Sequence, residues 1–131
     1  MLFQDKTINS LNDYISALSH HRDEIRKSNV WYRGHRHVDW ELLPSIIRNY
    51  EDTAPQKGWY FFKRFIQESY PFLEKTPDSN WDWVFLMQHY GLPTNLLDWS
   101  ESPLIALYFA VEEGGDDKDG TVWALDPERF N

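Results

Sequence analysis

The sequence contains no cysteine among its 131 residues. This absence excludes disulfides, thiolate metal sites and a cysteine nucleophile together, and it fits a cytoplasmic location. Long hydrophobic runs are also missing, and residues 1–10 lack the basic stretch followed by an apolar run that opens a secretory signal. We therefore predict a cytoplasmic protein that is neither secreted nor membrane-spanning.

Positive charge is scarce as well. The chain has 13 Lys and Arg against 21 Asp and Glu, a formal net charge of -8. This balance opposes the counterion release that drives general binding to DNA or RNA, so bulk nucleic-acid binding is not expected. The sequence also lacks a Gly-rich loop ending in Lys, the paired glycines of a dinucleotide fold, and HExxH. The enzyme classes that depend on those motifs are excluded.

Aromatic residues, by contrast, are abundant. Trp, Tyr and Phe make up 17% of the chain, and hydrophobic residues as a whole make up 41%. A chain of this length and composition can bury a core of its own. We expect one folded domain.

The spacing of apolar residues predicts an α+β fold. An amphipathic helix is expected over 10–26, opened by a capping box of Ser10 and Asp13. After an exposed loop at 50–58, an aromatic-rich helix is expected over 59–74. Shorter helices are predicted after Pro44, over 81–90 and after Pro103. Strands are predicted at 29–33, 95–99 and 121–125, so that the helices would pack on a small mixed sheet.

Polar side chains concentrate at the ends of these apolar segments, where rigid elements can position a site. The first group, residues 31–37, contains Arg33 beside Gly34. Such an arginine can present its planar guanidinium to a phosphate or carboxylate, or it can close a structural ion pair. His35 and His37 would share one face of an extended segment. Two histidines without a third ligand are weak evidence for a metal site, so no metal is expected.

The second group lies at a helix end and around the strand that follows, and it comprises Gln88, His89, Tyr90, Gly91, Thr94, Asn95, Asp98, Trp99 and Ser100. Asp98 stands in an apolar run, where an ionised carboxylate is costly unless it is paired. A pair with Arg33 across neighbouring strands would satisfy both groups. His89 is either a general base or a cation at the carboxyl end of a helix.

Several motifs, in this order and spacing, resemble the FRG domain, a family named after its aromatic-Arg-Gly motif. They are WYRGH at 31–35, LPS at 43–45, MQHYGLPT at 87–94, LLDWS at 96–100, Pro103, and ALYFA at 106–110. The resemblance covers about residues 31–126. It implies an FRG-like domain over 29–131, preceded by an N-terminal helical extension over 1–28. The family is described as a domain of unknown function in bacterial and phage proteins.

The order of elements is also similar, more loosely, to one class of ADP-ribosyltransferases. That similarity implies an ADP-ribosyltransferase-like fold that binds NAD as a substrate. Arg33 would then grip the phosphates or the nicotinamide ribose, and Ser100 would line the nicotinamide pocket. The remaining residues implied for the site are Tyr32, Gly34, His35, Gln88, Thr94, Asp98 and Trp99, with His89 as a further catalytic candidate.

The transferase chemistry needs a glutamate on a late strand, which stabilises the oxocarbenium-like charge that forms as nicotinamide leaves. Beyond the predicted strand at 121–125, Glu128 is the only glutamate, and Glu101, Glu112 and Glu113 precede that strand. This departure implies a truncated product, a fragment, or a form that binds without catalysis.

Two functions of different classes follow from these observations. The first is an NAD-binding, ADP-ribosyltransferase-like domain of a bacterial or phage conflict protein, whose partner is a small nucleotide. The alternative is a non-catalytic interaction module that binds a protein partner through its acidic surface and strand ends. A nuclease ranks last, because the sequence offers no convincing cluster of metal-binding carboxylates.

Overall fold

The computed structural model describes residues 6–20, 29–112 and 118–129. Their helices and strands run in the order α1 Leu11–His20, β1 Trp31–His35, α2 Ser45–Tyr50, α3 Ala54–Ser69, α4 Asn80–His89, α5 Pro103–Val111 and β2 Thr121–Leu125. Short 3-10 turns lie at Glu51–Thr53, Tyr70–Phe72 and Pro127–Arg129. The α+β class predicted from the sequence is confirmed.

The chain divides into two compact units. Unit 1 comprises Met1–Trp40 and Asp98–Asn131, and unit 2 comprises Glu41–Leu97. α1 lies within unit 1, where the Tyr14 hydroxyl donates a hydrogen bond of 2.8 Å to the Pro103 carbonyl. The domain boundary expected at residue 28 stays a prediction, since residues 21–28 lie outside the described part of the chain.

Unit 1 is built around β1. This strand pairs antiparallel with β2, with Arg33 opposite Trp123 and His35 opposite Thr121. On its other edge Tyr32 forms an isolated antiparallel bridge with Ser100, through hydrogen bonds of 2.7 and 2.8 Å between their main chains. β1 is therefore held on both edges.

α5 packs against one face of this sheet. Tyr32 and Val30 are buried there with Ala106 of α5, and Leu18 and Val122 pack around them. Because side chains alternate along a strand, the even-numbered positions of β1 face α5 and the odd-numbered ones face away. Ala106 and Ala110, the buried residues of α5, are small enough to let the helix lie close to the strand.

Gly34 is where the approach is closest. A Cβ atom at this position would lie 1.9 Å from the Ala106 carbonyl oxygen and 2.8 Å from the Ala110 nitrogen. The strand predicted at 29–33 continues past Arg33, since Gly34 pairs with Val122 inside the strand. The glycine makes room for a helix rather than for a turn.

The strand predicted at 95–99 is also not formed. Of this segment and its neighbours only Ser100 makes a β-bridge, and Asn95 and Asp98 are exposed. The Leu96-Leu97 pair gives the segment its strand-like composition. These side chains are only half-buried, and the main chain of 95–99 makes no ladder.

Unit 2 is helical, with Ile46, Ala54, Trp83 and Met87 buried. Its aromatic-rich helix α3 begins at Ala54 and ends at Ser69. The loop predicted at 50–58 is therefore wrong, and the helix predicted at 59–74 begins and ends five residues earlier than expected. Pro55 occupies the first turn, where its fixed φ and missing N–H are compatible with a helix. Gly58 lies inside the helix, facing Ile46.

Several other helix ends carry capping residues. Ser10 and Asp13 bond as predicted at the start of α1, where the Asp13 N–H donates to the Ser10 hydroxyl over 3.1 Å. Ser102 caps α5, and Gly91 after α4 has a φ of 77°. Within the described ranges, no helix combines the length and apolarity needed to cross a membrane.

A Gly34→Ala substitution tests the close packing of α5 on β1. The added methyl group would meet main-chain atoms, which cannot turn aside as a side chain can. We expect the free energy of unfolding, measured by urea denaturation, to fall by at least about 2 kcal/mol.

Gly58→Ala is the matched control. A Cβ there would lie at an ordinary 3.8 Å from Ile46, and alanine is the better helix former, so stability should rise by roughly 0.5–1 kcal/mol. Equal stability of Gly34→Ala and the wild type would contradict the packing described here.

Candidate functional site

The sheet face opposite α5 carries the chemistry of unit 1. Arg33 and His35 point to this side by strand alternation, and Trp123, which pairs with Arg33 across the sheet, shares it. Trp40, from the segment that follows β1, lies against His35. We call these four residues, Arg33, His35, Trp40 and Trp123, the Arg33 cluster.

Two hydrogen bonds orient the Arg33 guanidinium. Its Nε–H donates to His35 Nε2 over 3.0 Å, and its Nη1–H donates to the Asp98 carbonyl oxygen over 2.7 Å. An arginine side chain stays charged at any ordinary pH and has five N–H donors in a fixed plane. These two contacts therefore fix the plane in which its other donors lie.

His35 is the buried centre of the cluster, with 3% of its surface exposed. The rings of Trp40 and Trp123 meet it edge-on, with centroid distances of 6.2 and 6.3 Å. The Trp123 Nε1–H points at the other ring nitrogen, His35 Nδ1, over 3.3 Å. Residues of β1, of β2 and of the segment after β1 thus enclose the His35 imidazole between two indoles and a guanidinium.

The residues just after β1 extend this aromatic and basic surface. His37 meets the Trp40 ring edge-on at 4.6 Å, and the Arg36 guanidinium carbon lies 5.6 Å from the centre of the same ring. Trp40 thus combines a ring contact with a cation–π contact. Among the described residues, no group of three His, Cys, Asp or Glu is placed to hold a metal ion.

Asp98 differs from the sequence-based expectation. The buried carboxylate inferred from its apolar neighbours is absent, because Asp98 is exposed. The main-chain carbonyl of this residue accepts a hydrogen bond from the Arg33 guanidinium. The apolar run misled the prediction, since it does not form the buried strand that would have enclosed the side chain.

Ser100 lies on the face of the sheet opposite to Arg33. As the bridge partner of Tyr32 it shares the α5 side of the sheet, and its hydroxyl accepts the Ser102 N–H over 3.0 Å. This contact belongs to the turn that leads into α5. Trp99, the residue before it, is half-buried.

Tyr32 and Gly34 face α5 as well. The Tyr32 hydroxyl is buried and has no hydrogen-bond partner among the residues that the structure describes. Burial raises the pKa of Tyr32. Burial, with a smaller effect of the Tyr32 phenol, raises the pKa of Tyr14 to about 12. These residues form the core behind the Arg33 cluster.

Three of the predicted site residues, Gln88, His89 and Thr94, lie in unit 2. Thr94 is buried; its hydroxyl donates to the Gln88 side-chain oxygen and accepts the Leu96 N–H over 3.1 Å. The Thr94 N–H donates to the Ser45 hydroxyl. This network ties the segment after α4 to α2. His89 ends α4, is exposed, and meets the Tyr90 ring edge-on.

Trp40 and Trp123 were not anticipated from the sequence as site residues. Trp123 becomes a neighbour of Arg33 only through the register of β1 on β2, which two separate strand predictions do not contain. A signal was nevertheless present, because an antiparallel pairing of 31–35 with 121–125 places the two central residues opposite each other.

Comparison with known families identifies the family of the chain. A model of the FRG domain matches residues 28–119, more than half of the chain, and the chain therefore belongs to the FRG domain family. The matched range includes Arg33, His35 and Trp40 and ends before Trp123. Neither the curated proteins nor the solved structures give a match to the chain.

The buried phenols predict a pH dependence of stability. Tyr14 has its ordinary pKa of 10.0 when unfolded and about 12 when folded, so the folded state favours the neutral phenol. This contribution to stability is complete below pH 10 and is lost as the pH rises towards 12. Unfolding by urea between pH 8 and pH 12 should show the decline.

In Tyr14→Phe the decline over this range should be shallower, because that phenol no longer titrates. Tyr60→Phe, at an exposed position, is the control and should keep the wild-type slope. An identical slope in Tyr14→Phe and in the wild type would contradict the burial of this phenol.

Proposed function

We propose that this FRG domain binds NAD through Arg33, as an ADP-ribosyltransferase-like domain of a bacterial or phage conflict protein. The observation that carries the proposal is the fixed guanidinium of Arg33, held by the His35 ring and the Asp98 carbonyl. A planar set of N–H donors suits the oxygens of a pyrophosphate, which is the most polar part of NAD.

The surroundings of Arg33 support a nucleotide over a simple anion. Trp123 stands opposite Arg33 and Trp40 lies next to His35, so flat apolar rings lie near the charged group. Aromatic rings of this kind stack on the planar bases of nucleotides, and the gain is about 1–3 kcal/mol per base. The Arg33 cluster could therefore bind the pyrophosphate of NAD through the guanidinium and stack one of its bases on an indole.

The roles in this proposal follow the two faces of the sheet. Arg33 binds the phosphates, and His35 holds Arg33 in place. Tyr32, Gly34 and Ser100 act from the α5 side by fixing β1 and its neighbours. Glu128, exposed in the short turn after β2, receives no catalytic role, so the proposed activity is binding of NAD.

Calorimetric titration with NAD tests the proposal. We expect saturable binding by the wild type and a loss of at least tenfold in affinity in Arg33→Ala, because a hydrogen bond to a charged group contributes about 1.5–3 kcal/mol. Arg33→Lys should also be weaker, since an ammonium group keeps the charge but not the planar geometry.

The control is Arg64→Ala, which removes an exposed arginine paired with Glu68 on α3 and should bind as the wild type does. Circular dichroism establishes that each variant is folded. A folded Arg33→Ala that binds NAD as tightly as the wild type would contradict the proposal, and so would a wild type that does not bind.

A second candidate function rests on a different surface. Unit 2 exposes an unusual set of large aromatic side chains, namely Trp59, Tyr60, Tyr70, Phe72, Trp81, Phe85 and Tyr90. Aromatic residues are enriched in the centres of protein interfaces, and most monomeric proteins cover such groups. This observation favours a protein-interaction module.

The interaction module is tested by affinity capture from host extract without added nucleotide. We expect a stoichiometric partner retained by the wild type and by Arg33→Ala, and lost in Phe72→Ser, whose side chain is 85% exposed. Val38→Ser, an exposed apolar residue of unit 1, is the control. A partner that Phe72→Ser and Trp81→Ser retain would show that these aromatic residues do not bind it.

A further inference from the structure

His35 receives more hydrogen-bond donors than it can accept. Arg33 Nε–H points at its Nε2 over 3.0 Å, and Trp123 Nε1–H points at its Nδ1 over 3.3 Å. Guanidinium and indole nitrogens only donate. A neutral imidazole has one N–H and one acceptor nitrogen, and an imidazolium has no acceptor. His35 can therefore accept from only one of these two neighbours at a time.

The stronger donor is Arg33. Its contact to His35 is the shorter of the two, and a hydrogen bond from a charged donor is about twice as strong as one between neutral groups. The Asp98 carbonyl holds the same guanidinium in position. We therefore assign the acceptor to Nε2 and the proton of His35 to Nδ1.

This assignment leaves the indole N–H of Trp123 facing another N–H. The two cannot form a hydrogen bond, so the indole needs an acceptor elsewhere. Trp123 is 39% exposed, and it stands directly opposite Arg33 in the antiparallel register. Side chains so paired begin about 5 Å apart and can reach one small group together.

We infer that Trp123 donates its indole N–H to a phosphate oxygen of the ligand that Arg33 binds. The inference rests on the proposed function and adds a specific recognition element to it. The Arg33 guanidinium and the Trp123 indole N–H would then donate to the oxygens of the same phosphate. Strand pairing and the shared neighbour His35 fix these two donors relative to each other.

The substitution that isolates this contact is Trp123→Phe, which keeps an aromatic ring but removes the N–H. Titration with NAD and with inorganic pyrophosphate should show affinities roughly tenfold lower than those of the wild type for both. Tyr108→Phe, which removes the hydroxyl of an exposed residue that donates to Glu112 at the carboxyl end of α5, should leave both affinities unchanged. Wild-type affinity in Trp123→Phe overturns the inference.

Nitrogen NMR of the labelled wild type provides a test that needs no variant. In the ligand-free protein we expect the proton of His35 on Nδ1, and pyrophosphate should shift the indole N–H signal of Trp123. A proton on Nε2 would overturn the inference, because His35 would then satisfy the indole. An indole signal that stays in place while the Arg33 signal shifts would also overturn it.

These outcomes separate the inference from the proposed function. If Arg33→Ala loses NAD and Trp123→Phe keeps it, NAD binding stands and the role of Trp123 is wrong. If the wild type binds neither NAD nor pyrophosphate, the proposed function fails, and the inference fails with it.

Discussion

The contact between α5 and Gly34 is the constraint on which the architecture of unit 1 depends. A main-chain carbonyl of the helix lies where any other residue would place its Cβ atom, so only glycine permits this approach. The contact determines which face of β1 is covered. Once the even-numbered positions face the helix, Arg33 and His35 must lie on the other side, because the side chains of a strand alternate. Gly34, which has no side chain, thus determines on which face of the sheet Arg33 and His35 lie.

The two faces of β1 consequently have different roles. On the α5 side, Tyr32 and Val30 are buried with Ala106, and the Ser100 hydroxyl stabilises the turn into the helix. On the opposite side, the buried imidazole of His35 lies against the Arg33 guanidinium and the indoles of Trp40 and Trp123. Each residue of the aromatic-Arg-Gly motif has a different position: Tyr32 is buried in the core, Arg33 lies on the face opposite α5, and Gly34 leaves room for α5. In this chain, each position of the motif at Tyr32, Arg33 and Gly34 therefore has a physical reason.

The sequence predicted those features that depend on neighbouring residues. The helices after Pro44, over 81–90 and after Pro103 are present, as is the strand at 121–125, because capping residues and local spacing determine them. The predictions that failed concern features that depend on residues far apart in the sequence. Gly34 resembles a turn residue until α5 is placed beside it, and Asp98 resembles a buried acid until its side chain proves to be exposed. Trp123 joins the site only through strand register. The start of α3 at Ala54 is different, since Pro55 in a first turn is a local signal that was available.

The central claim is that Arg33, on the face of the sheet opposite α5, binds the phosphates of NAD. The most direct measurement is the Nε–H signal of Arg33 in a nitrogen-labelled protein during titration with NAD. We predict a saturable shift of this signal, with the signal of Arg64 unchanged. Saturable binding of NAD with the Arg33 signal unmoved would place the nucleotide elsewhere and contradict the account.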